Sequence, residues 1–194
     1  MKVLASLKPY YYYLIGEKIK TLEIRKSDLK NLPQDVLFYM SKDEKSFEKI
    51  PKEFQKKYRK HFGKIGMRVV CDEVEEFYEW ELSPQGKFAD FERERLENFL
   101  TAACLSEKEI VRYWGNSPYF KPLYGWHISK LKIYDKPKEL SELWGRKNCL
   151  AADTVECWNC FAACREINGR HYQPLSRPPQ SWCYIEETAL STNK

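Results

Sequence analysis

Two long β-prone runs lie far apart in this chain, and they limit what it can fold into. Residues 67–80 (MRVVCDEVEEFYEW) are rich in Val and aromatics, the composition of a strand. Residues 124–134 (YGWHISKLKIY) alternate apolar and polar side chains, the period of a strand with one buried face. Shorter strand patterns stand at 3–7, 21–25 (TLEIR), 36–40 and 182–186. In TLEIR, Leu22 and Ile24 face one way and Glu23 and Arg25 the other, a half-buried strand. Five or six strands separated by helices must pair non-locally. The expectation is an α+β fold, a small closed or nearly closed β-barrel decorated with helices.

The 194 residues suit a single domain over 1–194, with helical insertions at about 41–64 and 88–114. Ser41 to Glu44 has capping-box spacing. Phe47, Ile50, Phe54, Tyr58 and Phe62 then recur every three or four residues, an apolar helical stripe that Pro51 splits or kinks. Lysines oppose it: residues 52–64 carry Lys52, Lys56, Lys57, Arg59, Lys60 and Lys64 against Glu53 alone. Such a face is solvated, or it follows a phosphate backbone. A second capping box, Ser106 to Glu109, opens a helix through Trp114, and residues 135–144 are expected to cap a third, short helix.

No apolar run reaches the roughly 20 residues of a membrane span, and the first residues do not have the pattern of a secretory leader. A cytoplasmic protein with no membrane partner is expected. Seven cysteines, an odd number, then argue for thiols or a metal rather than a disulfide framework. Cys149, Cys157, Cys160 and Cys164 fall within sixteen residues, two of them separated by two residues. That spacing predicts a closed, structural tetrahedral zinc site in a lobe at about 145–172, with His171 as a spare ligand. Cys71, Cys104 and Cys183 have apolar neighbours and are expected in the core.

Residues 16–25 (GEKIKTLEIR) carry Lys20, Thr21, Glu23 and Arg25 in the order Lys-Thr-x-Glu-x-Arg after a Gly, and residues 6–10 read Ser-Leu-Lys-Pro-Tyr. In these motifs the chain resembles the ASCH superfamily, related to PUA, EVE and YTH modules. Residues 124–140 and 177–187 look like a branch common in phage and prophage proteins. The resemblance implies a small barrel whose cleft receives a base or nucleotide, with Lys8, Lys20, Thr21, Glu23 and Arg25 lining it. A carboxylate and a guanidinium side by side read a base edge or clamp a phosphate. Without a ligand they make a surface pair of little energetic worth.

Trp126 and His127 join the candidate set, the ring as a stacking platform or barrel core, the imidazole as an acid–base or structural group. The leading expectation is an RNA- or nucleotide-binding module. Its alternatives are an anti-CRISPR-like inhibitor of a host defence nuclease, binding that protein through the cationic helix or the zinc lobe, and an amidohydrolase or ribonuclease. The resemblance implies Lys20 as the catalytic lysine of an amidohydrolase. The Thr position of that subgroup falls on Glu23, and its Glu is left open among Glu73, Glu75 and Glu76.

Overall fold

Strands form at the β-prone runs and extend beyond them. The computed structural model describes residues 2–78, 89–115, 121–146, 165–167 and 170–187. Among these residues there are nine strands, more than the five or six expected: β1 (Lys2–Leu7), β2 (Leu22–Arg25), β3 (Gln34–Met40), β4 (Ile65–Phe77), β5 (Leu123–Lys138), β6 (Leu143–Arg146), β7 (Arg165–Ile167), β8 (Arg170–Pro174) and β9 (Trp182–Glu187). Of the additional strands, β6 and β7 span four and three residues, and β8 (RHYQP) carries no alternation of apolar and polar side chains. Five α-helices stand between strands among the described residues: α1 (Pro9–Gly16), α2 (Glu44–Phe47), α3 (Lys52–Arg59), α4 (Ala89–Ala103) and α5 (Glu107–Trp114). Among the described residues, no helix is long and apolar enough to cross a membrane.

The chain divides into two compact units. One comprises Met1–Tyr12, Asp35–Arg68 and Lys132–Lys194, the other Tyr13–Gln34 and Val69–Leu131. In the first, β1 pairs in parallel with β3, from Val3 opposite Val36 to Leu7 opposite Met40. On its other edge it pairs antiparallel with β9, from Lys2 opposite Ile185 to Ala5 opposite Trp182. Val3, Leu4 and Ala5 are therefore fully buried, and the strand reads as a continuous apolar run. Antiparallel pairs β9–β6, β6–β8 and β8–β7 continue the ladder. Leu4, Leu37, Tyr39, Ile65, Leu143 and Ile185 form one buried core cluster of this unit.

Two local expectations fail here. The N-cap of α2 is Asp43, whose carboxylate accepts the Ser46 N–H at 3.0 Å, and not Ser41. Ser41 is held at the strand end instead, its N–H donating to the Leu7 carbonyl at 2.8 Å. Residues 135–144 are not a helix: β5 runs through Pro137, a 3-10 turn occupies Leu140–Glu142, and β6 begins at Leu143. Proline fits extended backbone as well as a helix start, and burial of Leu143 in the core decides for the strand.

In the second unit β2 pairs antiparallel with β5, from Leu22 opposite His127 to Arg25 opposite Tyr124. Leu22, Ile24, Phe77, Leu96, Phe99, Ile110, Trp114 and Leu123 form its core. Phe77 and Phe99 stack at 4.4 Å, and burying such a ring contributes about 1.5–3 kcal/mol. Gly125 lets the helix come close: a Cβ there would lie 3.0 Å from both Leu22 Cδ1 and Phe99 Cε2. α5 opens with the expected box, Ser106 and Glu109 bonding reciprocally.

Cys149, Cys157, Cys160 and Cys164 lie outside the described residues. The described parts of 145–172 belong to β6, β7 and β8. Among the described residues, no group of three or more His, Cys, Asp or Glu is placed to hold a metal ion.

Candidate functional site

All four residues of β2 are buried, including Glu23 and Arg25. The half-buried strand and the solvated surface pair expected from the alternation are thus corrected: both faces are covered. Leu22 and Ile24 enter the apolar core, while Glu23 and Arg25 share the opposite face with their cross-strand partners Trp126 and Tyr124.

Two helix ends set the electrostatics beside this strand. α4 finishes at Ala103, and Cys104 takes the left-handed conformation (φ 51°) that turns the chain, with Leu105 N–H donating to the Leu100 carbonyl at 3.0 Å. Lys20 Nζ donates to the Ala103 carbonyl at 2.6 Å. On the other side of β2, Lys26 Nζ donates to the Trp114 carbonyl at the end of α5, at 3.2 Å. Terminal carbonyls carry partial negative charge, so a lysine at each end is favourable.

Between the two lies a charged cluster. Arg25 Nη2 is 2.9 Å from Glu23 Oε1, and Lys20 Nζ is 3.6 Å from Glu23 Oε2. Side-chain exposure is 2% for Lys20, 6% for Arg25 and 8% for Glu23. The Arg25 guanidinium also lies 5.6 Å from the centroid of the fully buried Trp126 ring. Burial lowers the Lys20 pKa, and Glu23 opposes that by stabilising the ammonium. With Lys20 protonated, two cations share the Glu23 carboxylate in a region where charge interactions are weakly screened.

Other predicted residues take separate positions. His127 Nε2 lies 3.3 Å from Glu75 Oε1, both side chains partly exposed, and the pair is ionic only when His127 is protonated. Of the three carboxylates left open by the sequence, Glu75 is the one that the described residues place against a histidine. Thr21 is exposed, its N–H donating to the Ala102 carbonyl and its own carbonyl accepting from Ile128. Lys8 is exposed in the first unit, where Trp182 packs edge-on against Tyr184 at 5.2 Å. Cys71 is fully buried, its thiol pushed up to about 12 by burial first and by Glu23 second. Cys183 is partly buried and packs against the core of the first unit, whereas Cys104 is partly buried with its thiol donating to the Ile19 carbonyl at 3.6 Å.

Tyr113 and Lys26 were not among the sequence candidates. Tyr113 is 39% exposed; burial raises its hydroxyl pKa, and the hydroxyl feels the fields of Arg25 and Glu23. Lys26 Nζ lies 5.4 Å from the Tyr113 ring centroid. Position alone offered one signal: Lys26 directly follows the Lys-Thr-x-Glu-x-Arg run.

No protein-family model matches this chain, and no curated protein matches it. Among solved structures it is similar to the ASCH protein of Zymomonas mobilis, at 13% identity and a TM-score of 0.53, over 96% of this chain and 88% of that one. Two single-residue variants of that protein, one Tyr-to-Phe and one Ser-to-Ala, match at 13% identity and TM-scores of 0.52. They cover 96% of this chain and 91% and 89% of their own. At such identity the similarity establishes the fold alone, and the fold is ASCH-like, mixed α+β.

Proposed function

We propose that this chain is an RNA- or nucleotide-binding module of the ASCH type, with a phage or prophage-type branch as its place in that superfamily. One observation carries the reading: the exposed Lys26 holds its ammonium over Tyr113, a partly exposed ring in the field of Arg25 and Glu23, so a cation and a stacking face stand together at the surface. An anionic phosphate answers the charge, and a base stacks on the ring, an interaction of about 1–3 kcal/mol. Glu23 fixes the guanidinium, so Arg25 is positioned before any ligand arrives.

Fluorescence anisotropy with labelled RNA at low salt tests this. Tyr113→Ala, at a partly exposed position, is expected to fold normally and weaken binding roughly tenfold or more. Arg25→Lys keeps the charge and loses the fork, so it weakens binding less than Arg25→Ala. Absence of RNA or nucleotide affinity in the parent protein at low salt refutes the proposal, as does full affinity in Tyr113→Ala and Arg25→Ala together.

A structural zinc held by Cys149, Cys157, Cys160 and Cys164 belongs to the same proposal. Its support is the ligand spacing, and its role is to organise a segment with few apolar residues.

A further inference from the structure

The formal charge of the chain is not spread over it. Residues 42–64 contain nine Lys and Arg against four Asp and Glu, an excess of five, which is the net charge of the entire protein. The remaining 24 basic and 24 acidic residues cancel. Within the segment the acids are partly committed. Asp43 caps α2, and Glu44 is held by Arg59 through bonds of 2.8 and 2.9 Å. Lys64 is drawn off by Glu139 at 2.6 Å. The exposed lysines are Lys42, Lys45, Lys49, Lys52, Lys56, Lys57 and Lys60, against Glu48 and Glu53; of these, Lys60 also donates to the Asp135 carbonyl at 3.1 Å and Lys57 Nζ lies 5.1 Å from the Tyr58 ring centroid.

Lys52, Lys56 and Lys60 recur every fourth residue, so they form one row along α3 with about 6 Å between successive positions. Lys60 continues the row because its backbone is still helical (φ −64°, ψ −18°). The row rests on a fixed support. Tyr58 is fully buried and packs edge-on against Tyr12 at 6.2 Å, and the Gln55 amide donates to the Ile50 carbonyl at 2.8 Å. The charge is felt beneath this surface. His61, fully buried, is pushed down to about 4 by burial first and then by Lys60 and Lys57.

We propose that the exposed lysine face of α3, the Lys52–Lys56–Lys60 row with Lys57 beside it, is a second contact surface that tracks the phosphate backbone of RNA without reading its sequence. It rests on the RNA reading above for its partner, though not on the Lys20–Arg25 cluster. The chemistry of the surface selects the partner. Protein interfaces are anchored by apolar and aromatic side chains in desolvated pockets. Among the described residues the exposed large apolar side chains are Ile19, Leu32, Val111 and Tyr113, none of them in 42–64. A membrane-surface helix needs an outward apolar face, and that face of α3 is turned into the fold, where Tyr58 is buried. A row of ammonium groups without apolar anchors suits a regular polyanion, bound through release of its counterions.

The test compares the parent protein with Lys52→Gln/Lys56→Gln/Lys57→Gln in binding a short single-stranded RNA of mixed sequence, by anisotropy, between about 50 and 200 mM salt. The expected result is a fall in affinity of about tenfold or more at low salt, with the log–log salt slope shallower by about 2, from roughly 0.7 per phosphate contact. The His61 imidazole, followed by NMR, is expected to rise from about 4 when RNA neutralises the lysines above it. An unchanged slope and affinity in the triple variant overturns the row and leaves the cluster as the binding site. Loss in the triple variant with none in Arg25→Ala and Tyr113→Ala together supports the row and refutes the cluster. No RNA binding by the parent refutes both, including the case in which it binds phosphatidylserine vesicles instead.

Discussion

Replacing Glu23 by Gln removes the carboxylate that Lys20 and Arg25 both contact, and keeps the volume. The cost follows from burial. With side chains only 2% and 6% exposed, neither cation can recover the lost interaction from water. Lys20 has an escape, because it can release its proton. That bounds its share at pH 7 to about 4.6 kcal/mol, from a free lysine near 10.4 at 1.36 kcal/mol per unit. Arg25 has no such escape and loses a charge-assisted bond worth about 1.5–3 kcal/mol. The two shares together span about 1.5 to 7.6 kcal/mol, and breaking a buried pair by removing one partner, at about 3–5 kcal/mol, falls within that span. For a chain of this size the loss lowers the melting temperature by roughly 6–20 °C. Urea and thermal unfolding followed by circular dichroism measure it.

The pH dependence supplies a second signature. Without Glu23 the Lys20 pKa in the fold drops further below its unfolded value. The unfolded chain then binds more protons than the folded variant, so the variant gains stability as pH rises, and its deficit relative to the parent narrows from pH 7 toward the unfolded lysine pKa. A deficit below about 1 kcal/mol at pH 7, with no narrowing, would refute the coupled buried cluster.

His61 is neutral in the fold because its pKa is pushed down to about 4, while the unfolded chain protonates it near 6.5. Stability is therefore expected to fall by up to about 3 kcal/mol as pH drops through that window, and His61→Gln should show a shallower fall; equal pH profiles contradict this. Cys104→Gly should be neutral or stabilising by about 1 kcal/mol, because glycine occupies the left-handed end of α4 without strain, and urea midpoints would expose a loss instead. Chelation of purified protein should release about one zinc per chain with four thiols appearing together; no metal in the protein, with all seven thiols titrating freely in the unfolded chain before chelation, rules the site out.

Much of the strand pattern was legible because period and composition act locally. The run expected at 67–80 is strand β4 as far as Phe77, the run at 124–134 lies in β5, and the Ser106–Glu109 box opened α5 as expected. Residues 135–144 misled because Asp-Lys-Pro suits a helix start and an extended chain equally, and burial of Leu143 settles the choice. The N-cap of α2 slipped by two residues because both Ser41 and Asp43 are good caps, and Ser41 was already bound to β1 through Leu7.

For the candidate site, the sequence by itself determined which charges stand on which face of β2. Alternation along a strand is a local property, and it put Glu23 beside Arg25 and opposite Leu22 and Ile24. Only the tertiary structure decided that those charges are buried, that Lys20 and Lys26 terminate two helices, and that Tyr113 stands in the field of Arg25. The carbonyls that receive the lysines lie more than eighty residues further along the chain. No periodicity carries that distance, and burial is a property of what packs against a strand, not of the strand.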